Sequence, residues 1–170
     1  RYLAGTKDVG LKFEFVANDF TAYCDASFEA TRSTTGSVVT CGSRVLAWRS
    51  SKQAQIAKST ADSEITAFSA TVTLAENVKA LLESMFVPIR TINVGCDNQA
   101  AIILATAEGT NKTKALANRV NYTREAVKLK LLVIFYVMTD EQKADVLTKF
   151  LVAVKMEAAR RQLGLVRIGG

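Results

Sequence analysis

Hydrophobic and polar positions change rhythm several times along the chain. From Asp19 to Phe28, the residues Phe20, Ala22, Cys24, Ala26 and Phe28 alternate with Thr21, Tyr23, Asp25 and Ser27. This period of two predicts a strand with one apolar face and Asp25 on the other. After a polar turn from Glu29 to Thr34, the runs from Gly36 to Cys41 and from Arg44 to Trp48 are short and rich in Val and Leu, with Gly42-Ser43 between them. They predict a hairpin that continues the first strand.

From about Ser59 to Met85 the spacing changes to three and four, through Ile65, Phe68, Val72, Ala75, Val78 and Leu82. That is the stripe of a long amphipathic helix, with Ser59 or Thr60 available as its N-cap. Val87-Pro88 ends it, Thr91 to Cys96 is a short apolar strand, and Asn98 to Ala107 predicts a helix ending near Gly109. A polar helix from about Lys114 to Lys128 follows. Leu131 to Val137 is almost wholly apolar, which predicts a strand buried on both faces, and a last helical region is expected from Asp140 onward.

The resulting order, β-β-β-α-β-α-α-β-α, predicts an α/β domain. Its five-stranded mixed sheet has strands 1–3 antiparallel and the later strands parallel, with helices on both faces. The expected organisation is a connector over residues 1–17, one domain over 18–151, and a basic C-terminal helix and tail over 152–170. With 170 residues, 49% hydrophobic and 22% charged, the chain has room for one sizeable core. A single proline and nine glycines argue against disorder or a collagenous chain. No apolar run reaches the roughly 18 residues of a membrane helix. The opening Arg1-Tyr2-Leu3 has neither a methionine nor a charged-then-apolar leader, as expected of a piece of a longer polypeptide.

Composition narrows the chemistry sharply, because the chain contains no histidine. Histidine-dependent triads, histidine general bases and histidine-containing zinc sites are excluded together. Cys24, Cys41 and Cys96 are odd in number and widely spaced, so they suit reduced intracellular thiols better than a disulfide framework or a zinc site. A net charge of +6 and a pI near 9.3 favour a polyanionic partner such as nucleic acid.

Carboxylates, hydroxyls, lysines and thiols are what remains for catalysis. Tyr23-Cys24-Asp25 and Gly95-Cys96-Asp97 each place an aspartate directly after an apolar strand residue. At neighbouring strand ends of a mixed sheet such residues converge on one crevice, where a pair of carboxylates repels unless a cation lies between them. Glu64 is expected in the first turn of the long helix and Asp145 at the start of the last one. Helix stabilisation through the macrodipole explains either residue singly. Four carboxylates at strand ends and helix starts, in a basic chain without histidine, point instead to Mg²⁺ or Mn²⁺ and phosphodiester hydrolysis.

The motifs carry a resemblance. Arg1-Tyr2-Leu3-Ala4-Gly5-Thr6, Asp25-Ala26-Ser27, Arg32-Ser33-Thr34-Thr35-Gly36, Trp48 with Ser51-Lys52-Gln53, Ser59-Thr60-Ala61-Asp62-Ser63-Glu64, Cys96-Asp97-Asn98-Gln99-Ala100-Ala101-Ile102 and Ala144-Asp145-Val146-Leu147-Thr148-Lys149 occur in that order. In this the chain closely resembles the ribonuclease H domain of the pol polyprotein of copia-type LTR retrotransposons, which follows the reverse transcriptase. The resemblance implies the ribonuclease H-like fold and hydrolysis of the RNA strand of RNA/DNA hybrids, leaving a 5′ phosphate and a 3′ hydroxyl. It implies that Asp25, Glu64, Asp97 and Asp145 hold two Mg²⁺ ions, with Mn²⁺ as a possible substitute. It also implies a reverse transcriptase domain as partner in the same polyprotein, and a cytoplasmic setting in virus-like particles. One departure is plain: Lys114-Ala115-Leu116-Ala117-Asn118-Arg119-Val120-Asn121 keeps Arg119 but lacks the two histidines and the acid of the family's motif. The lid histidine of many cellular ribonucleases H also has no counterpart before Asp145.

A hybrid is recognised by shape, phosphates and 2′ hydroxyls, so hydroxyls, amides and lysines are the useful side chains. Ser33, Thr34, Ser51, Lys52, Gln53, Asn98 and Gln99 have that chemistry, and so does Ser50. Bland roles compete: helix capping for Asn98, a polar turn for residues 32–35, and a solvated surface for Lys52. Trp48 reads as a core or sheet-edge aromatic, and Cys24 and Cys96 as buried small apolar residues facing away from the aspartates. Lys143, Lys149, Lys155, Arg160, Arg161 and Arg167 either steer phosphate-rich substrate or form a solvated face. Two rival readings stay open here: a non-catalytic binding module derived from a decayed ribonuclease H domain, and an integrase or resolvase core of the same superfamily.

Overall fold

A computed structural model describes residues 2–11, 19–42, 44–106 and 114–168. The expected strands and helices fall nearly where the sequence places them. A short helix α1 (Tyr2–Gly5) and strand β1 (Val9–Leu11) lead into β2 (Phe20–Ser27), β3 (Thr34–Cys41) and β4 (Arg44–Lys52). Then follow α2 (Thr60–Ser84), β5 (Ile92–Cys96), α3 (Gln99–Thr106), α4 (Lys114–Lys128), β6 (Leu132–Tyr136), α5 (Ala153–Gln162) and β7 (Leu165–Arg167). The expected helix end near Gly109 lies outside the described residues. So do the side chains of Ala115, Leu116, Ala117 and Arg119, although their backbone belongs to α4.

The main sheet has the order β4-β3-β2-β5-β6. The β2–β3 and β3–β4 pairs are antiparallel, while β2–β5 and β5–β6 are parallel. This is the mixed five-stranded sheet expected from three hairpin-linked strands followed by helix-separated ones. Phe20, Ala22 and Cys24 of β2 join Val94 and Cys96 of β5 and Ile65, Phe68, Val72 and Ala75 of α2 in one core. The opposite face carries a smaller cluster in which Val38, Val45 and Ala144 are buried beneath Leu11, Tyr23, Leu147 and Leu163. The central strands β2 and β3 are therefore covered on both faces, which is why their own polar residues are also buried.

Two expectations change. β6 is not buried on both faces: Val133 and Tyr136 are 46% and 48% exposed, whereas Leu132 is buried. It is the edge strand, paired with β5 alone: Val133 lies on the face opposite Leu132, and Tyr136, at the end of the strand, is exposed although it shares the face of Leu132. The segment after Asp140 is not a continuous helix either. It forms two 3₁₀ turns, Thr139–Glu141 and Asp145–Leu147, before α5 begins at Ala153. Asp145 thus lies in an isolated turn, closed by the amides of Thr148 and Lys149 on its own carbonyl at 3.2 and 3.1 Å. The two flanking segments meet, because β1 pairs antiparallel with β7 in a separate two-stranded sheet. Trp48 sits on the edge strand β4 but is 62% exposed, a sheet-edge aromatic and not a core one. Among the described residues, no helix is long and apolar enough to cross a membrane.

Helix α2 sets one wall of the site, and its ends are well defined. Ser59 caps it, its hydroxyl accepting from the amide of Asp62 at 3.2 Å, while Asp62 accepts from the amide of Lys58 at 2.9 Å. At the other end Val87 N donates to Leu82 O and Phe86 N to Glu83 O, at 2.9 and 3.0 Å. This closing pattern puts its penultimate residue in the left-handed region, and that residue is Phe86, with φ 62. Phe86 is 95% exposed, so its ring contributes no packing that offsets the backbone strain. Phe86→Gly is therefore expected to raise stability by about 1 kcal/mol in denaturant unfolding; a loss of stability would contradict this reading of the cap.

Candidate active site

Strand geometry delivers the first two acids. Asp25 faces away from the α2 core because its neighbour Cys24 faces into it. Asp97 follows the last residue of the adjacent parallel strand β5, so both stand at the same end of the sheet. Glu64 is the fifth residue of α2, beyond the first turn, and the acid placed to stabilise the helix start is Asp62. Glu64 is instead turned into the protein, 5% exposed.

Asp145 comes last, on its 3₁₀ turn, and long-range contacts hold that turn. Gln142 is buried; its Nε2 donates to the carbonyl of Cys24 at 3.0 Å and its Oε1 accepts from the amide of Ala144 at 3.3 Å. Ser50 of β4 donates to the carbonyl of Leu147 at 2.6 Å. The hydroxyl of Thr148 donates to Asp25. Gly36, whose Cα pairs with that of Asp25, lets the turn approach: a Cβ there would stand 2.8 Å from the carbonyl oxygen of Ala144 and 2.7 Å from Cγ2 of Thr148. Gln142 and Ser50 were not among the positioning residues expected from sequence, since polar residues in short segments look like surface. Gly36 lay within a motif, but its close approach depends on residues more than a hundred positions away.

All four expected acids come together. Carboxylate oxygens of Asp25, Asp97 and Asp145 lie within 4.8 Å of one another, and so do a carboxylate oxygen of Glu64, one of Asp97 and the sulfur of Cys96. Asp97 belongs to both groups and links the two faces of the sheet edge. Burial raises the pKa of Asp25, opposed by the Thr148 hydrogen bond and the Lys149 charge and reinforced by Asp145 and Asp97. Burial is also the main reason Glu64 is pushed up to about 9, with Asp25, Cys96 and Asp97 adding to it. Among the described residues, Lys149 supplies the opposing charge at the cluster: its ammonium pairs with Asp145 and lies 3.4 Å from Asp25. Burial would lower the Lys149 pKa, but these carboxylates outweigh it and raise it. Beside the acids, Cys24 and Cys96 lie within hydrogen-bonding reach of each other. This contact raises the Cys24 pKa and lowers that of Cys96.

The cluster suits a divalent cation. The Oε2 of Glu64 is buried and has no hydrogen-bond partner, a costly state for a carboxylate that a metal would relieve. Asp25, Asp97 and Asp145 together offer hard oxygen donors of the kind Mg²⁺ requires.

The expected substrate contacts divide. Gln99 and Lys52 are exposed, and Thr34, Ser51 and Asn98 are partly so. Lys52 is held by Glu29 at 2.5 Å, and Thr34 donates to the same carboxylate at 3.1 Å. The Oδ1 of Asn98 accepts from Ala101 N at 3.0 Å and caps α3. Ser33 and Gln53 are buried. Gln53 donates to Thr35 Oγ1 and Ser63 O at 3.0 and 2.8 Å, clamping the start of α2 to β3. These two side chains are enclosed by protein, because the segment before β3 and the segment after β4 meet, Gln53 N donating to Ser33 O at 2.8 Å.

Comparison with known proteins places this arrangement. No family model matches the chain. The fold is similar to that of LC11-RNase H1, a structure solved in complex with an RNA/DNA hybrid, with TM-score 0.59, 13% identity and coverage of 76% of this chain and 93% of that one. It is also similar to RNase H1 from the halophilic archaeon Halobacterium salinarum, with TM-score 0.55, 18% identity and coverage of 75% and 92%. The class is therefore the ribonuclease H-like fold.

In sequence, the chain is 30% identical over 176 aligned positions to the retrovirus-related Pol polyprotein from transposon RE2 of Arabidopsis thaliana, covering 99% of the chain and 12% of the polyprotein. It is 29% identical over 170 positions to that from transposon TNT 1-94 of Nicotiana tabacum, covering 97% and 13%. The chain is thus a relative, from end to end, of a segment of plant retrotransposon Pol polyproteins, and the resemblance to the copia-type ribonuclease H domain is borne out. It spans only about an eighth of the length of those relatives.

Two outcomes follow for the isolated chain. A carboxyl whose pKa is higher folded than unfolded stabilises the fold fully below its unfolded value, near 4.5 for Glu64, and loses that contribution as pH rises through about 9. With divalent cations chelated, stability should therefore fall between these pH values, and Glu64→Gln should flatten that slope in melts across the range; an unchanged slope would contradict the burial of an ionisable Glu64. Gly36→Ala should destabilise the chain by about 1–3 kcal/mol by forcing the Asp145 turn outward, as measured by denaturant unfolding; a neutral result would show that the turn is not seated on β3.

Proposed function

We propose that this chain is a metal-dependent ribonuclease H that hydrolyses the RNA strand of RNA/DNA hybrids, with Asp25, Glu64, Asp97 and Asp145 holding two Mg²⁺ ions or, as a substitute, Mn²⁺. The observation that carries this reading is the meeting of the four acids in two groups that share Asp97, one of which includes Glu64 with its buried, unpartnered oxygen. When bound, two such ions lower the pKa of an attacking water and stabilise the departing 3′ oxygen. The chain's own residues set the geometry. Thr148 fixes the orientation of Asp25, Gln142 and Ser50 hold the turn of Asp145, and Asp97 is shared by the two halves of the site. Lys149 neutralises Asp25 and Asp145 until cations take over that role, and its side chain is 40% exposed, free to turn towards a phosphate.

The substrate side of the proposal rests on surface chemistry. Gln99, Asn98, Thr34, Ser51 and Lys52 lie on loops and element ends around the acids and offer the amides, hydroxyls and charge that a hybrid's sugar-phosphate edges accept. Ser33 and Gln53 support this surface from beneath. Residues 18–151 are the proposed catalytic unit, 1–17 the link to a reverse transcriptase of the same polyprotein, and 152–170 the basic appendix. The setting proposed for this work is the cytoplasmic particle in which such an element copies its RNA.

The test is cleavage of a labelled RNA/DNA hybrid. Hydrolysis should require Mg²⁺, leave 5′ phosphate and 3′ hydroxyl ends, spare single-stranded and double-stranded RNA, and vanish in Asp97→Asn while the melting temperature in chelator holds or rises. A protein that binds the hybrid without cutting it would favour a non-catalytic binding module, and cleavage of duplex DNA would favour an integrase or resolvase core.

A further inference from the structure

Cys96 is the last residue of β5, fully buried, and its sulfur lies within 4.8 Å of a carboxylate oxygen of Glu64 and one of Asp97. A thiol is the wrong donor for Mg²⁺, which binds oxygen, but the right one for softer divalent ions. The donor set Asp25, Asp97 and Asp145 contains no sulfur. The two sets therefore differ in chemistry while sharing Asp97.

We propose that Glu64, Cys96 and Asp97 form a binding site for a zinc-class divalent cation, and that such an ion excludes Mg²⁺ from this end of the site because it takes the shared carboxylate of Asp97. Two independent features support it. The Oε2 of Glu64, a residue of this group, is buried without any hydrogen-bond partner, so the group already carries a desolvated donor. The spacing is also close to what zinc needs: bonds of about 2.0–2.3 Å place tetrahedral ligand atoms roughly 3.3–3.6 Å apart, and the three atoms already lie within 4.8 Å of one another. Three protein ligands leave a fourth position for water. On binding, the S–H bond of Cys96 breaks and Glu64 gives up the proton its carboxyl holds; both protons pass to solvent, and lone pairs of the sulfur and of the carboxylates form the bonds to the metal.

The inference concerns the same site but does not require hybrid hydrolysis, and its readout is spectroscopic. The intact chain is titrated with Co²⁺, an ion that reports thiolate ligation by a charge-transfer band in the near ultraviolet. The expected result is a saturable band that excess Mg²⁺ does not remove and Zn²⁺ does. Cys96→Ser should lose the band, Glu64→Gln should weaken it, and Cys41→Ser and Asp145→Asn should retain it, with far-ultraviolet circular dichroism confirming that each variant is folded. No band in the unaltered chain, or a band that survives in folded Cys96→Ser, would overturn the proposal. A missing band with Mg²⁺-dependent hybrid cleavage intact overturns only this inference, whereas a band without cleavage overturns only the hydrolytic reading.

Discussion

Mutual repulsion among four carboxylates, brought to one edge of a sheet and partly removed from water, is the constraint on which the rest of this structure turns. Asp25 is 1% exposed, Glu64 is buried on the opposite side of the same edge, and Asp97 joins them. Left alone, such a cluster favours either protonation or separation. Separation is prevented, because each acid is fixed by an element with its own reason to be where it is, and Glu64, pushed up to about 9, responds by holding its proton. Asp25 belongs to the central strand, Glu64 to the helix packed across that strand, and Asp97 to the end of the neighbouring strand. The core built from Phe20, Ala22, Val94, Ile65, Phe68 and Val72 thus holds the acids together against their charge.

The fourth acid shows how the remaining repulsion is managed. Its turn brings Thr148 and Lys149 with it, one donating a hydrogen bond to Asp25 and the other pairing with both Asp145 and Asp25. The segment that adds a negative charge therefore also adds a positive one four residues later. Lys149 is the cation the fold carries for itself, partly exposed and able to move, while Glu64 has no such partner and keeps an oxygen unpaired. That asymmetry marks the Glu64 side as the place where an external cation gains most.

Much of this was legible in the sequence, for identifiable reasons. Period-two alternation around Asp25 and the stripe through Ile65, Phe68 and Val72 are local signals, and the elements they imply form as expected. An aspartate directly after an apolar strand residue is also a local signal, and Asp25 and Asp97 meet at the sheet end. What escaped is non-local. Asp145 looks like a helix start from its neighbours, but contacts with Cys24, Gly36 and Ser50 shape its backbone into a short turn. Leu131 to Val137 looks doubly buried because its residues are apolar, yet its place at the sheet edge leaves Val133 and Tyr136 to solvent. Ser33 and Gln53 look like surface residues and are buried, because the segments before β3 and after β4 meet each other and Gln53 is bonded to the start of α2.

Counting bound Mn²⁺ per chain by electron paramagnetic resonance, with a hybrid present, tests the central claim most directly. Four converging carboxylates beside a partly exposed internal lysine predict two ions on the unaltered chain and fewer on Asp97→Asn, the variant that removes the shared ligand. An equal count on both proteins, or no bound Mn²⁺ on either, would contradict the account.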